Sequence, residues 1–340
     1  MRFLAFLASS LLAPLAFAQT ALEPNTSPEA PAAELSAVDA VALGAIEGVT
    51  EYLPISSTGH LIIATRALKL DSDEPLRRPD GRARWFIPPS DENPTGTPLT
   101  VRLAADTYTI VIQFGAIAAV ALLYWRPVLS MLRGLIGRDP AGFRLLRNLI
   151  LAFLPAAILG LLLHDWIDEH LFSVKTVIIA QIAGALLIFW AERYRRARAA
   201  AAPVSDTNTG LELTTRQALN IGLLQCVAMW PGTSRSMMTI IGGYLSGLDP
   251  RRSAEFSFLL GLVTLTAASV YKGYKSGTAM IDVFGWPNIV LGCVVAAVTA
   301  ALAVKFLVGW LSRHGMGLFA WYRLGLAAIL IVLVALGWIE

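Results

Sequence analysis

The chain has 340 residues, of which 56% are hydrophobic and only 15% charged, with a net charge of +3 at pH 7. A soluble domain carries about 25% charged residues, so the shortfall excludes an exterior that faces water throughout, and most of the outside must face lipid. The small net charge gives no sign of a nucleic-acid partner, and the two cysteines, Cys226 and Cys293, both in apolar stretches, form neither a disulfide framework nor a zinc-ligand spacing.

Residues 1–18 read as a signal peptide: Arg2, an apolar run, then Ala16-Phe17-Ala18 as a small-residue cleavage site. Pro14 and the short apolar core argue against an uncleaved membrane helix. Residues 19–36, rich in Pro, Ala, Ser and Glu, read as an exposed leader that ends outside the cytoplasm. Apolar segments then fall at 37–52, 58–69, 106–125, 148–163, 174–191, 214–229, 237–247, 255–271, 286–308 and 322–339. About 20 helical residues are needed to cross the hydrocarbon core. The segments 37–52, 58–69, 214–229 and 237–247 are too short or too interrupted for that, and they form two pairs. Each pair is broken by a turn: Pro54-Ile55-Ser56-Ser57-Thr58-Gly59 in the first, Pro231-Gly232-Thr233-Ser234-Arg235-Ser236 in the second.

The pairs resemble each other. Gly44-Ala45-Ile46-Glu47 parallels Gly222-Leu223-Leu224-Gln225, and Pro-x-Ser-Ser follows in one where Pro-x-Thr-Ser follows in the other. Three long segments come after each pair, so the second copy must insert upside down. The expected fold is an all-α polytopic membrane protein with an inverted-topology repeat, each half a re-entrant broken-helix pair plus three transmembrane helices. The first repeat covers 37–191 (re-entrant pair 37–69, outer loop 70–105, three spans), a cytoplasmic linker 192–213, and the second repeat 214–340 with its re-entrant pair at 214–247. Interrupted segments at matching places in two halves point to a binding site where they meet.

Basic residues test the orientation, because cytoplasmic loops collect Lys and Arg. The connections 126–147, 192–216, 249–253 and 305–323 carry most of them, Arg323 included, while the two short loops assigned to the outside carry only Lys175, Lys272 and Lys275. Both termini then lie outside.

Glu47 and Glu51 are four apart and share one helix face. A carboxylate at membrane depth is costly, and its default reading is functional; the structural alternative is a pair satisfied by serines and backbone amides. Ser56, Ser57, Thr58, Gly59 and His60 follow at once. Hydroxyls, a glycine and a helix N-terminus make a ready anion site, although capping by Ser or Thr alone is common. In the second turn Gly232, Thr233, Ser234 and Ser236 surround Arg235, whose planar fork suits phosphate oxygens or a structural pair with Glu47 or Glu51. The set suits phosphoryl transfer, in which positioning and charge neutralisation dominate. Glu47 and Glu51 are the candidate ligands of a hard divalent ion that completes its shell with substrate phosphates.

The stretch Glu47-Gly48-Val49-Thr50-Glu51-Tyr52-Leu53-Pro54-Ile55-Ser56-Ser57-Thr58-Gly59-His60 resembles the first signature of the bacterial undecaprenyl-pyrophosphate phosphatases, also called bacitracin-resistance proteins, and Pro231–Ser236 resembles the second. Gln225 and Glu255-Phe256-Ser257-Phe258 are similar to the family too, and the likeness runs from about residue 37 to the C-terminus. The resemblance implies hydrolysis of undecaprenyl pyrophosphate to the monophosphate, recycling the lipid carrier for peptidoglycan, in the bacterial inner membrane with the active site opening to the periplasm. It implies dependence on Mg²⁺ or Ca²⁺ and functional roles for Glu47, Glu51, Ser57, His60 and Arg235. By family analogy the nucleophile is Ser57; the residues themselves leave His60 and a metal-activated water open. The implied partners are the lipid substrate and membrane lipids, with a homodimer left open. Met237 departs from the pattern, standing where the family usually has Gly, an expected perturbation behind Arg235.

The rival reading is a polyprenyl-phosphate flippase or transporter using the same anion site, since broken helices in inverted repeats also mark transporters. A lipid phosphatase of the acid-phosphatase type is set aside, because no His-x-x-x-Asp follows Arg235.

Overall fold

The computed structural model describes residues 35–77, 82–90, 94–201, 211 and 213–339. The signal peptide expected over 1–18, the leader up to residue 34 and most of the second half of the linker lie outside the described residues.

The first broken pair is α1 (Ala37–Glu51) and α2 (Ser57–Ala67). The connection 70–100 contains a small antiparallel hairpin, β1 (Trp85–Ile87) and β2 (Thr97–Pro98), with Trp85 opposite Pro98. Three helices follow in the first half: α3 (Val101–Leu123), the short α4 (Trp125–Leu135), then α5 (Pro140–Leu171), with α6 (Val174–Ala201) closing it. The second broken pair is α7 (Thr215–Val227) and α8 (Arg235–Leu245). The stretch α9 (Pro250–His314) holds two candidate spans, Pro250–Tyr271 and Val283–His314, and bends at Gly285 (φ 72°, ψ 153°), just before Pro287. The last helix is α10 (Gly317–Ala335).

Among the described residues six helices are long and apolar enough to cross a membrane: Val101–Leu123, Pro140–Leu163, Val174–Ala200, Pro250–Tyr271, Val283–His314 and Gly317–Ala335. These are the six spans expected from the sequence, and the chain is a polytopic helical membrane protein. Three boundaries differ. The first span starts at Val101, inside the expected loop 70–105, because Thr100 caps it by accepting from the Leu103 amide (3.2 Å). Helix α6 runs on to Ala201, so the linker expected over 192–213 begins as helix. Helix α4 occupies part of the connection 126–147; it exposes Trp125, Leu132 and Leu135 beside Arg126 and Arg133, the make-up of a helix lying at a membrane surface.

The broken pairs start alike. Ser36 and Asp39 form a capping box at α1, and Thr214 and Gln217 form one at α7, each satisfying two otherwise orphaned amides. They also pack alike. Gly44 of α1 lies so close to the second span of α9 that a Cβ there would sit 2.6 Å from the Gly292 carbonyl oxygen, and Gly48 is as tightly pressed on Ala296 and Thr299. In the other half Gly222 of α7 presses on Ala152 of α5. Gly44 and Gly222 are the residues that the sequence comparison of the two pairs aligns. Each pair thus docks by its glycine on the second span of the opposite half, where a missing side chain lets backbones approach.

Replacement of Gly48 or Gly222 by Val is expected to destabilise the protein by about 1–3 kcal/mol through overpacking. Gly309, where an added Cβ would meet nothing within 4 Å, serves as the control, and its change to Ala should be neutral or slightly stabilising. Thermal unfolding of the purified variants in detergent reads both.

Candidate active site

Helix α1 stops at Glu51, and the chain turns through Tyr52–Ser56 before α2 opens at Ser57. Helix α7 stops at Val227, and the chain turns before α8 opens at Arg235. The residue before each second helix is a serine with positive φ: Ser56 at φ 71°, ψ 111° and Ser234 at φ 76°, ψ 113°. A side-chain-bearing residue held there costs about 1–3 kcal/mol, and such strain gathers at functional sites. The near-identical dihedrals correct the register of the sequence comparison by one residue. Ser56 corresponds to Ser234 rather than to Thr233, so Ser57 corresponds to Arg235.

These two corresponding residues meet on one carboxylate. Ser57 Oγ donates to Glu51 Oε2 (3.1 Å), and Arg235 Nη2 contacts Glu51 Oε1 (3.2 Å). Arg235 Nη1 donates to the Ser257 carbonyl (3.1 Å), and the guanidinium lies 5.4 Å from the Tyr52 ring centroid. Room for it comes from Gly261, where a Cβ would sit 2.6 Å from Arg235 Cζ. Arg235 Nε is buried with no hydrogen-bond partner, a donor left over after the protein contacts are made. A hydroxyl on a carboxylate that a third group orients is the arrangement of an activated nucleophile.

Glu47 lies one turn before Glu51, fully buried, and neither of its oxygens has a well-formed hydrogen bond, although the Gln113 side chain of α3 is a polar neighbour. A buried carboxylate so poorly answered is costly. A divalent cation between Glu47 and Glu51 would relieve that cost. Among the described residues no group of three or more His, Cys, Asp or Glu could hold a metal, so an ion held by these two carboxylates would need further oxygens from substrate and water, as Mg²⁺ commonly takes.

His60 is held from both sides. Its Nδ1 lies 2.7 Å from the Ser56 carbonyl and its Nε2 lies 2.8 Å from the Tyr322 hydroxyl, with the two rings stacked. A carbonyl can only accept, so the proton is assigned to Nδ1 and Nε2 accepts from Tyr322. Other residues of the two turns are committed to protein. Ser236 Oγ donates to the Leu53 carbonyl (2.9 Å), joining the turns directly. Gly59 packs on Gln181 and Leu326, and Gly232 (φ 91°) on Val177. Ser234 Oγ accepts from the Met237 amide (3.3 Å). Thr233 is buried, and Thr58 lines a cavity that opens between α2 and the hairpin side of α3. Met237 is fully buried in the central apolar cluster, on a helix that is regular there.

Several contributors carry no motif of their own. Gly261, Gln181, Tyr322 and Arg323 reach the turns from distant spans. Arg323, counted above with the cytoplasmic loop charges, is fully buried inside α10. Its own sequence offered one signal, a lone Arg within an apolar run.

Fold and centre together define a class: a polytopic membrane protein with a polar site walled by two broken-helix turns. The family model described as Bacitracin resistance protein BacA matches residues 40–329. The undecaprenyl-diphosphatase of Sorangium cellulosum is 40% identical over 86% of this chain and 85% of its own. Undecaprenyl-diphosphatase 2 of Rhodospirillum rubrum is 41% identical over 88% and 95%, and the undecaprenyl-diphosphatase of Azotobacter vinelandii is 37% identical over 89% and 96%. The chain belongs to the bacitracin resistance protein family.

Arg235→Met should leave Glu51 buried and unpaired at a cost of about 3–5 kcal/mol, which the double variant Glu51→Gln/Arg235→Met should largely recover. Unfolding of the four proteins in a double-mutant cycle measures the coupling.

Proposed function

We propose that this chain is an undecaprenyl-diphosphatase: it hydrolyses undecaprenyl pyrophosphate to undecaprenyl phosphate and inorganic phosphate. That returns the lipid carrier to cell-wall synthesis and carries the bacitracin resistance for which the family is named. The observation that bears most weight is the single carboxylate, Glu51, shared by the Ser57 hydroxyl and the Arg235 guanidinium between the two turns.

The steps follow from that geometry. The terminal phosphate takes the place of Glu51 on one edge of Arg235, with the spare Nε as a further donor. Ser57 Oγ forms a bond to the terminal phosphorus while the bond from phosphorus to the bridging oxygen breaks, and undecaprenyl phosphate leaves with that oxygen. The Ser57 proton passes to Glu51 Oε2. Water then attacks the phosphoserine, inorganic phosphate departs, and the proton returns from Glu51 to Ser57. Glu47 and Glu51 are the proposed ligands of Mg²⁺ or Ca²⁺, which when bound would neutralise charge building on the phosphate oxygens. His60, with both nitrogens engaged, orients the turn rather than attacks. Ser56, Thr58, Thr233 and Ser234 border the phosphate.

We further place the chain in the bacterial inner membrane with this site open to the periplasm and both termini outside. A cavity of about 460 Å³ lies at the end of the spans that carries residues 70–105, the loop expected outside. It is lined by Arg66, Asp71 and Arg102 at the rim and descends along α2 to Thr58, the neighbour of Ser57. With a cysteine-free background, Lys175→Cys should react with an impermeant maleimide in intact cells, and Arg138→Cys only after lysis.

Phosphate release from undecaprenyl pyrophosphate by the purified protein, with and without EDTA, tests the enzyme reading. Release should need the metal, fall about 10²–10³-fold in Arg235→Ala through loss of charge stabilisation, and vanish in Ser57→Ala. Mass spectrometry early in turnover should find phosphate on Ser57; its absence in an active enzyme assigns the attack to water. No release from folded wild type would promote the flippase reading, in which Ser57→Ala spares transport.

A further inference from the structure

Arg323 is the least expected charge in the protein. It is fully buried, and among the described residues no carboxylate pairs with it. Burying a guanidinium without an anion is expensive, so the residue must be answering something else. It answers backbone. Nη2 donates to the Ala180 carbonyl (2.8 Å) and to the Gly232 carbonyl (2.9 Å), and Nε donates to the Gln181 carbonyl (3.3 Å). Gly232 is, like Ser234, a positive-φ residue of the second turn, three positions before Arg235. Gly184 makes the space: a Cβ there would sit 2.8 Å from Arg323 Cζ.

The neighbouring residues complete a connection to the first turn. Tyr322, next to Arg323 on α10, bonds His60 Nε2, and His60 Nδ1 bonds the Ser56 carbonyl. Gln181, whose carbonyl Arg323 takes, uses its own side-chain amide to donate to the Ile55 carbonyl (3.3 Å). One dipeptide of the last helix therefore reaches both turns, the first through His60 and Gln181 and the second directly.

We propose that Tyr322 and Arg323 are positioning residues of the phosphatase, a brace that fixes the two turns against each other so that Ser57 and Arg235 meet on Glu51. The proposal rests on the phosphatase reading for its effect on rate, but not for its effect on the turns. A guanidinium suits the task because its planar fork serves several carbonyls at once and its charge strengthens each bond. Carbonyls in a non-helical segment at membrane depth have no water to turn to. Arg323 touches neither Glu51 nor Ser57 in any hydrogen bond, so its effect has to travel through the turns.

The test uses the purified full chain in detergent with four substitutions: Arg323→Met, Arg323→Lys, Tyr322→Phe and Gly184→Ala. Steady-state phosphate release gives kcat and KM, and hydrogen exchange is followed over residues 52–60 and 228–238. Misplacement by an ångström costs up to about 100-fold in rate, so Arg323→Met should lower kcat about 10- to 100-fold. KM should change little, because the lost interaction serves the transition state. Arg323→Lys should recover part of the rate. Exchange should rise locally at 228–238 in Arg323→Met, and at 52–60 in Tyr322→Phe. If Arg323→Met does not fold, Gly184→Ala takes its place, since it displaces the guanidinium while keeping the charge; the same local rise and kcat loss are expected. A wild type that releases no phosphate sinks the enzyme reading alone, and the exchange data still decide the brace. The brace is overturned if exchange in both segments matches wild type in every variant, or if kcat survives while the turns loosen.

Discussion

Backbone that leaves the helix inside a membrane has to find its hydrogen bonds within the protein, and the centre of this molecule is organised by that requirement. Leu53, Ile55, Ser56 and Gly232 present carbonyls in or beside the two turns, and they are met by Ser236, Gln181, His60 and Arg323 in that order. Those partners come from α8, α6, α2 and α10. The turns are therefore not loops that happen to be buried; they are tied to each other and to the spans α6 and α10. The Glu51–Arg235 pair sits inside this lattice, and its distances hold only while the lattice does.

The charges of the centre divide into two kinds. Arg323 is consumed by backbone and has one nitrogen, Nη1, left without a partner. Arg235 is shared between a carbonyl, a carboxylate and an aromatic face, and its carboxylate partner is the group that also holds the Ser57 hydroxyl. In the proposed reaction an incoming phosphate competes for Arg235, because Glu51 retains Ser57 when it lets go. It has no comparable way to compete for Arg323. Glu47 stands opposite in character: two buried oxygens with no well-formed hydrogen bond, which is why it is proposed as a cation ligand.

Much of this was legible in the sequence for a simple reason. Short apolar segments broken by Pro, Ser and Gly are local features, and so are two glutamates on one helix face and an Arg inside a turn. The six spans followed from run length. What was not legible depends on residues brought together from far apart. The loop charge assigned to Arg323 turned out to be an interior brace, because counting basic residues cannot tell an Arg near a helix end from one that points inward. The helices were matched in step, Gly44 with Gly222, but the match of the turns slipped by one because Thr233-Ser234 looks more like Ser56-Ser57 than Ser234-Arg235 does, while φ and ψ follow position rather than residue type. Gly261 and Gly184, which make room for the two guanidiniums, look like any other glycine in an apolar run.

The matching serines have one more consequence. Ser57 and Arg235 occupy the same station in two halves that start, turn and dock alike. Two identical halves would offer serine facing serine, or arginine facing arginine, and neither arrangement sets a nucleophile against a cation. Joined in one chain, the halves are free to differ at that one station, and the centre acquires a direction: a hydroxyl on one side and a cation on the other, the two roles that the proposed reaction assigns to attack and to charge stabilisation. The division of labour is a property of the fusion, and no symmetric assembly of either half could reproduce it.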